Sequence, residues 1–312
     1  MARTASSPEF SRNYGFWNED EQRALMAARV AIAGVGGDGF QLGLKLARMG
    51  VARFSIADPE VFEPENVNRV AGATTSSIGR DKAEVFRERV LDINPHAEVE
   101  TFHSGVTEDN IESFMDGASL VLDESELTRP EIGTLIARQA RRQGIPDLLV
   151  MNVGFAAQVT SFAPASTWTF ERFMGFTPAT PLAEIAAAGV DLSRCLPYIP
   201  AYTDLRSLTA VQGENGAPPA SLPSISIGVD LASAIGSAQA FLHLTAKVSN
   251  RRRSPVWAPR VAYTDAYTLR TRTLRAGPFS HWRHLLLTAG RQQLGMNPLG
   301  SYTVADIARR SS

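Results

Sequence analysis

The stretch Arg29–Gly50, RVAIAGVGGDGFQLGLKLARMG, decides the fold. An apolar run, RVAIA, meets a cluster of glycines (Gly34, Gly36, Gly37 and Gly39) and then an amphipathic segment ending at Gly50. This is the pattern of a strand that turns into a helix with its main chain held close to phosphate. Glycine permits the tight turn and the close approach, and the helix N-terminus offers free N–H groups. Asp58 ends the next apolar run, roughly 20 residues further on, where a carboxylate would hold ribose hydroxyls. These features suit any nucleotide site of this type. Taken alone they leave a nicotinamide dinucleotide and ATP both open.

Outward from this turn, apolar runs alternate with helical patterns up to about Val153. RVAIAGV, ARFSIAD, AEVETFH, SLVLDE and DLLVMNV read as buried strands. Between them lie four helical segments, one of which carries Ala83, Phe86, Val90 and Ile93 on one face before Pro95. Another is led by Pro130 and stopped by Gly144. The alternation predicts an α/β fold: a Rossmann-like, mostly parallel sheet with helices on both faces. A C-terminal extension of strands and helices follows. The expected division is a helical arm over 1–28, a nucleotide-binding domain over 29–164, an irregular crossover loop over 165–223, and an acceptor-binding and dimerisation region over 224–312. SISIGVDLASAIGSAQAFLHLTAKV reads as a small-residue helix, RVAYTDAYTLRTRTL as one or two strands, and HWRHLLLTAGRQQ as a late helix.

With 312 residues, 44% hydrophobic and 20% charged, the composition is that of an ordinary globular chain able to bury a core. A net charge of −1 gives no electrostatic footprint for DNA or a membrane surface, so neither is an expected partner. The first residues lack the apolar stretch of a signal peptide, and no apolar run is expected to cross a bilayer. The only cysteine, Cys195, can neither close an internal disulfide nor supply a cysteine-based zinc site. A reducing, cytoplasmic location is therefore expected. His281 and His284 have no third ligand nearby and read as a helix face; Arg251–Arg253 read as a solvated helix end.

The residues beyond Asp58 tip the balance toward a triphosphate. Asn66, Arg69 and Lys82 follow in PEVFEPENVNRVAGATTSSIGRDKAE. Cationic side chains hold phosphate oxygens and neutralise the charge that develops as pyrophosphate leaves. In order and spacing, GVGGDG, ADPEVFEPENVNR, SIGRDKAE and INP, together with FSRN ahead of the first strand, resemble the ThiF/MoeB/HesA family, relatives of ubiquitin-activating enzymes. The resemblance runs from about Phe10 to Val153.

It implies adenylation of a carboxylate with ATP and Mg²⁺, followed by acyl transfer. The acceptor would be a ubiquitin-like protein, a peptide or a small molecule. Gly34, Gly36, Gly37 and Gly39 would shape the nucleotide turn, Asp58 would hold the ribose, and Asn66, Arg69 and Lys82 would contact phosphates. Arg12 would act in trans from the second subunit of a homodimer. The family's Asp-x-x-Asp-Asn after the fourth strand becomes Asp123, Glu126 and Leu127 in LDESEL. Glu126 would thus be the metal ligand and Asp123 a nucleotide-site carboxylate. Zinc-holding CxxC pairs are absent, so no zinc is expected. Cys195 would carry a thioester or persulfide, or be inert. Asp38, beside the glycine turn, would cap the following helix. The alternatives are a nucleotide-binding partner of reduced catalytic capacity, suggested by Glu126 and Leu127, an NAD-dependent oxidoreductase, and a dehydratase acting on a tRNA-borne carboxylate, against which the near-neutral charge weighs.

Overall fold

The computed structural model describes residues 3–191, 194, 196–200, 202–203, 223–250 and 252–277. Cys195, His281, His284, Arg251 and the HWRHLLLTAGRQQ segment lie outside them. The chain enters through a short 3₁₀ turn (Pro8–Phe10) and α1 (Glu19–Ala27). Helix α1 opens on a capping box in which Asn18 Oδ1 accepts from the Glu21 N–H and Glu21 Oε2 accepts from the Asn18 N–H, both at 2.9 Å. Five strands alternating with four helices follow: β1 (Arg29–Ala33), α2 (Gly37–Met49), β2 (Arg53–Ala57), α3 (Lys82–Ile93), β3 (Glu98–Phe102), α4 (Ile111–Phe114), β4 (Leu120–Asp123), α5 (Pro130–Gln143) and β5 (Asp147–Val153). Then come β6 (Ala156–Phe162), α6 (Phe170–Met174), α7 (Leu182–Ala188), α8 (Ser226–Leu244), β7 (Arg260–Asp265) and β8 (Arg270–Arg275).

These strands make one eight-stranded sheet in the order β3-β2-β1-β4-β5-β6-β7-β8. The first five are mutually parallel; β6, β7 and β8 extend the sheet antiparallel. The strand order reverses between β1 and β4, and the crevice outside the carboxyl ends of these strands is where open α/β sheets bind ligands. The five predicted strands and four helices of the parallel half are all present. The region foreseen only as an irregular crossover contains α6 and α7. Buried Glu171 on α6 accepts from Arg138 Nε at 3.1 Å and from Arg141 Nη2 at 2.6 Å, which pins α6 to α5.

Both sheet faces are covered, so the central strands are mostly apolar. On one face Val30, Ile32, Leu120, Leu122, Leu148 and Val150 pack beneath α2, α3 and α8. On the other, Ala31, Ala33 and Val121 meet Ile111 and Phe114 of α4 and Ile136 and Ala140 of α5. Helix α8 is long and apolar enough, by length and composition, to cross a membrane, contrary to expectation. Its small residues have a packing reason. A Cβ at Gly236 would sit 2.7 Å from Leu42 Cδ1 and 2.8 Å from Val150 Cγ2, so glycine lets the helix lie close against α2 and β5.

Phe86 on α3 is the hub of the first face. Its ring meets Phe40 and Phe54 edge-on, with centroids 5.3 and 6.1 Å apart. Phe86→Ala is expected to cost about 3–5 kcal/mol, read as a lowered urea midpoint; a loss below about 1 kcal/mol would show that this cluster does not hold α3 to the sheet.

Candidate functional site

The turn after β1 is a main-chain crossing that only glycine allows. Gly34 adopts φ +98°, and a Cβ there would lie 2.3 Å from the carbonyl oxygen of Glu124. A Cβ on Gly39 would lie 2.1 Å from the Gly34 carbonyl oxygen. Gly37 is pressed against Val229 of α8, at 2.9 Å. Gly36 differs: among the described residues, nothing lies within 4 Å of where its Cβ would be. Three glycines therefore close the turn onto protein, and the fourth faces open space at the N-terminus of α2. The Gly34 N–H bonds the Ala57 carbonyl at 2.7 Å, and the Glu124 N–H bonds the Ala33 carbonyl at 3.0 Å, stitching the turn between the ends of β2 and β4.

Asp58 fastens this arrangement. Its Oδ2 accepts from the Val35 N–H at 2.8 Å and its Oδ1 from the Glu60 N–H at 2.9 Å. Each oxygen keeps a second lone pair. Burial pushes its pKa upward, and the nearby Lys82 charge opposes that shift. Lys82 is buried at the start of α3, where its Nζ pairs with Glu60 Oε2 at 2.5 Å. Glu60 itself is exposed.

Arg69 follows the 3₁₀ turn Pro64–Asn68. Its Nη1 donates to the Glu65 carbonyl at 3.0 Å and to Asn68 Oδ1 at 2.9 Å, and its charge reaches Asp38. Buried Asn66 accepts from the Glu63 N–H at 3.1 Å through Oδ1, capping its own turn. Arg69 and Lys82 therefore both stand by the glycine turn, each acting on one of its carboxylates.

Asp38 does not cap α2. The N-cap position is Gly36, and the buried Asp38 carboxylate instead accepts through Oδ2 from Asn152 Nδ2 at 2.8 Å. Asn152 Oδ1 accepts from Ser224 Oγ at 2.8 Å, and the Ser224 carbonyl accepts from Asn68 Nδ2 at 3.0 Å. This polar chain joins α2, the end of β5, the approach to α8 and the Arg69 turn. Burial pushes the Asp38 carboxyl up to about 7, against the opposing effects of Asn152 and Arg69. Asp38 is visible in the sequence as an odd acid beside a phosphate-type turn. Asn152, Ser224, Glu60 and Glu124 carry no local signal, because each is brought in by tertiary packing.

Asp123 ends β4, and its Oδ1 accepts from Ser125 Oγ at 2.5 Å. Its Oδ2, Glu124 Oε1, Asp38 Oδ1 and both oxygens of Asp147 are buried with no partner among the described residues. Burial raises the pKa values of Asp123, Glu124 and Asp147, and repulsion from neighbouring carboxylates adds to the shift for the latter two. Glu126 is exposed, and its Oε2 accepts from Thr128 Oγ1 at 3.1 Å. No group of three acidic, histidine or cysteine side chains converges as a metal site among the described residues.

Arg12 is exposed and remote from its own glycine turn. Asn13 bonds Gln22, and Gln22 Nε2 donates to the Met49 carbonyl at 2.8 Å. The arm therefore sits at the C-terminal end of α2, a helix about 20 Å long, whose other end bears the turn.

The sequence matches the ThiF family model over residues 10–282. It is 33% identical over 149 residues to the tRNA threonylcarbamoyladenosine dehydratase of Bacillus subtilis, covering 47% of this chain and 57% of that protein. It is 29% identical over 147 residues to the sulfur carrier protein ThiS adenylyltransferase of Escherichia coli, covering 46% of this chain and 57% of that one. The chain thus spans little more than half the length of these relatives. A crystal structure of E. coli MccB with ATP superposes with a TM-score of 0.64 at 14% identity, over 89% of this chain and 74% of that one. That likeness shows a shared fold. With a family match over most of its length and the glycine turn, Asp58, Arg69 and Lys82 assembled at one crevice, the chain belongs to the ThiF family.

Proposed function

We infer that this chain activates a carboxylate by ATP-dependent adenylation. The observation that carries the reading is the pair of cations, Arg69 and Lys82, acting on Asp38 and Asp58 at the glycine turn. A nicotinamide dinucleotide needs no such pair beyond the ribose carboxylate. The family membership and the names of the relatives support the same chemistry.

The acceptor carboxylate attacks the α-phosphorus, the bond to the β-phosphate breaks, and pyrophosphate departs with the electron pair, leaving an acyl-adenylate. No base is required, since a carboxylate is already nucleophilic. The open face above Gly36 and the N–H groups opening α2 receive phosphate oxygens. Asp58 uses its remaining lone pairs on the ribose hydroxyls. Lys82 exchanges the exposed Glu60 for a phosphate oxygen at little desolvation cost, and Arg69 neutralises the leaving pyrophosphate. Asp123, with its free Oδ2, and Glu126 would hold a magnesium ion together with the nucleotide, since Mg²⁺ is commonly bound by one or two carboxylates plus substrate phosphates. That ion would supply charge neutralisation at the phosphates. Beside the cleft, Phe155, Tyr202 and Tyr267 form an aromatic cluster with Tyr267 exposed, a surface suited to a peptide or protein carrying the carboxylate. Cys195 is the candidate thiol for a later acyl transfer. The placement of Arg12 supports a homodimer in which each arm serves the partner's cleft.

Three outcomes test this reading. Arg69→Ala and Lys82→Ala should each lower carboxylate-dependent exchange of labelled pyrophosphate into ATP about 100-fold or more with the melting temperature retained; full exchange in either variant removes its phosphate role. Arg12→Ala and Lys82→Ala should each be inactive alone, yet an equal mixture of refolded subunits should regain about a quarter of wild-type exchange through one intact site per mixed dimer; no recovery sinks the trans assignment. As pH rises through about 7 Asp38 loses its proton, and its negative charge then opposes the phosphates. KM for ATP should climb across that range in the wild type and stay flat in Asp38→Asn. An unchanged wild-type profile would place Asp38 away from the nucleotide.

A further inference from the structure

A second cleft lies at the opposite edge of the sheet from the glycine turn. β6 runs from Ala156, paired with Val153 at the end of β5, to Phe162, paired with Asp147 at its start. That is about 20 Å along the strand. Beyond Phe162, the approach to α6, α6 itself, the 3₁₀ turn Leu196–Tyr198 and the end of β8 enclose a cavity of about 300 Å³. This is the lower end of the range for small-molecule sites, which are mostly apolar with a few convergent polar groups. Its walls are Trp168, Phe173, Phe176 and Tyr198, with the Phe173 and Tyr198 rings stacked at 5.8 Å and 22°.

Among the described residues, the charged side chains of the lining are two arginines, Arg172 and Arg194, with no carboxylate in the lining. Arg194 pairs with Asp191 at 3.4 Å. Arg172 is exposed, and no carboxylate among the described residues pairs with it. Among the described residues, one positive charge of the cleft is therefore left over. Gly175 permits the arrangement: it adopts φ +100°, and a Cβ there would lie 2.3 Å from Arg194 Nε, so the guanidinium rests against bare main chain. The preceding residue on the inner side, Glu171, is fixed to α5 by Arg138 and Arg141, which turns Arg172 outward on a rigid base.

We propose that this cleft binds a monoanionic carboxylate with an aromatic body, either a free acid or the C-terminal residue of a peptide. The aromatic walls take the ring by stacking and edge contacts. The guanidiniums take the carboxylate through charge-assisted hydrogen bonds in a fork geometry that matches its two oxygens. A single surplus charge suits a monoanion better than a phosphate dianion, whose second charge would lie uncompensated against the rings. The site uses no residue of the nucleotide cleft, so it stands or falls independently of adenylation.

Isothermal titration of the full chain tests this with phenylacetate, phenylacetamide, and acetyl-Gly-Gly-Phe as its free acid and as its amide. Each acid that enters should bind about 10-fold or more tightly than its amide, since a hydrogen bond to a charged group is at stake. Arg172→Gln should erase that preference, Arg172→Lys should restore part of it, and pyrophosphate exchange should be unchanged in both. Binding of both acids means that the cleft admits a peptide terminus; binding of phenylacetate alone confines it to free acids. Equal affinity for acid and amide, an undiminished preference in Arg172→Gln, or no heat from either acid at about 10 mM would overturn the proposal.

Discussion

The site depends on one buried carboxylate holding one impossible-for-alanine turn. Asp58 ties the Val35 amide to the end of β2, and the Gly34 main chain passes so close to the Glu124 carbonyl that no side chain fits between them. This contact fixes the ends of β1, β2 and β4 in mutual register at the point where the strand order reverses. The open face above Gly36, the position of Lys82 and the approach of Arg69 all follow from it. Because backbone meets backbone, the geometry cannot adapt by a rotamer change, and the turn is held rigid.

Around this turn the charges are arranged against their own comfort. Asp38, Asp123, Glu124 and Asp147 are buried near one another with oxygens unpaired, a costly collection in a low-dielectric interior. Arg69 offsets part of it at Asp38, and Arg141 does so at Asp147. Such a balance makes the crevice responsive to whatever charge enters, because little bulk water is present to screen the change.

Most of the parallel half was legible in the sequence. Apolar runs bounded by glycine and proline gave all five parallel strands, and the capping and stop residues of α5 gave its limits. Asp58, Arg69 and Lys82 stand out in the sequence by type and order, and the structure brings them to one crevice. Other features were not legible. Asn152 reaches Asp38 across more than one hundred residues of chain, with Ser224 bonded behind it, and a single asparagine in a strand carries no mark of that. Helices α6 and α7 are too short for periodicity to emerge from a proline-rich background. The role of Asp38 differs from the expected cap, since an acid near a helix start usually caps the helix, whereas here the half-buried Asn152 amide takes its carboxylate.

Among the described residues the sheet ends at β8, whose residues Arg270, Thr271, Arg272, Thr273 and Arg275 are all exposed. Two such borders from separate molecules, laid side by side, would bring rows of like-charged guanidiniums into apposition before any ladder could zip. The strand thus carries its own guard against continuing into a neighbour. Assembly of copies, where it occurs, is steered away from this rim and toward helical or loop surfaces.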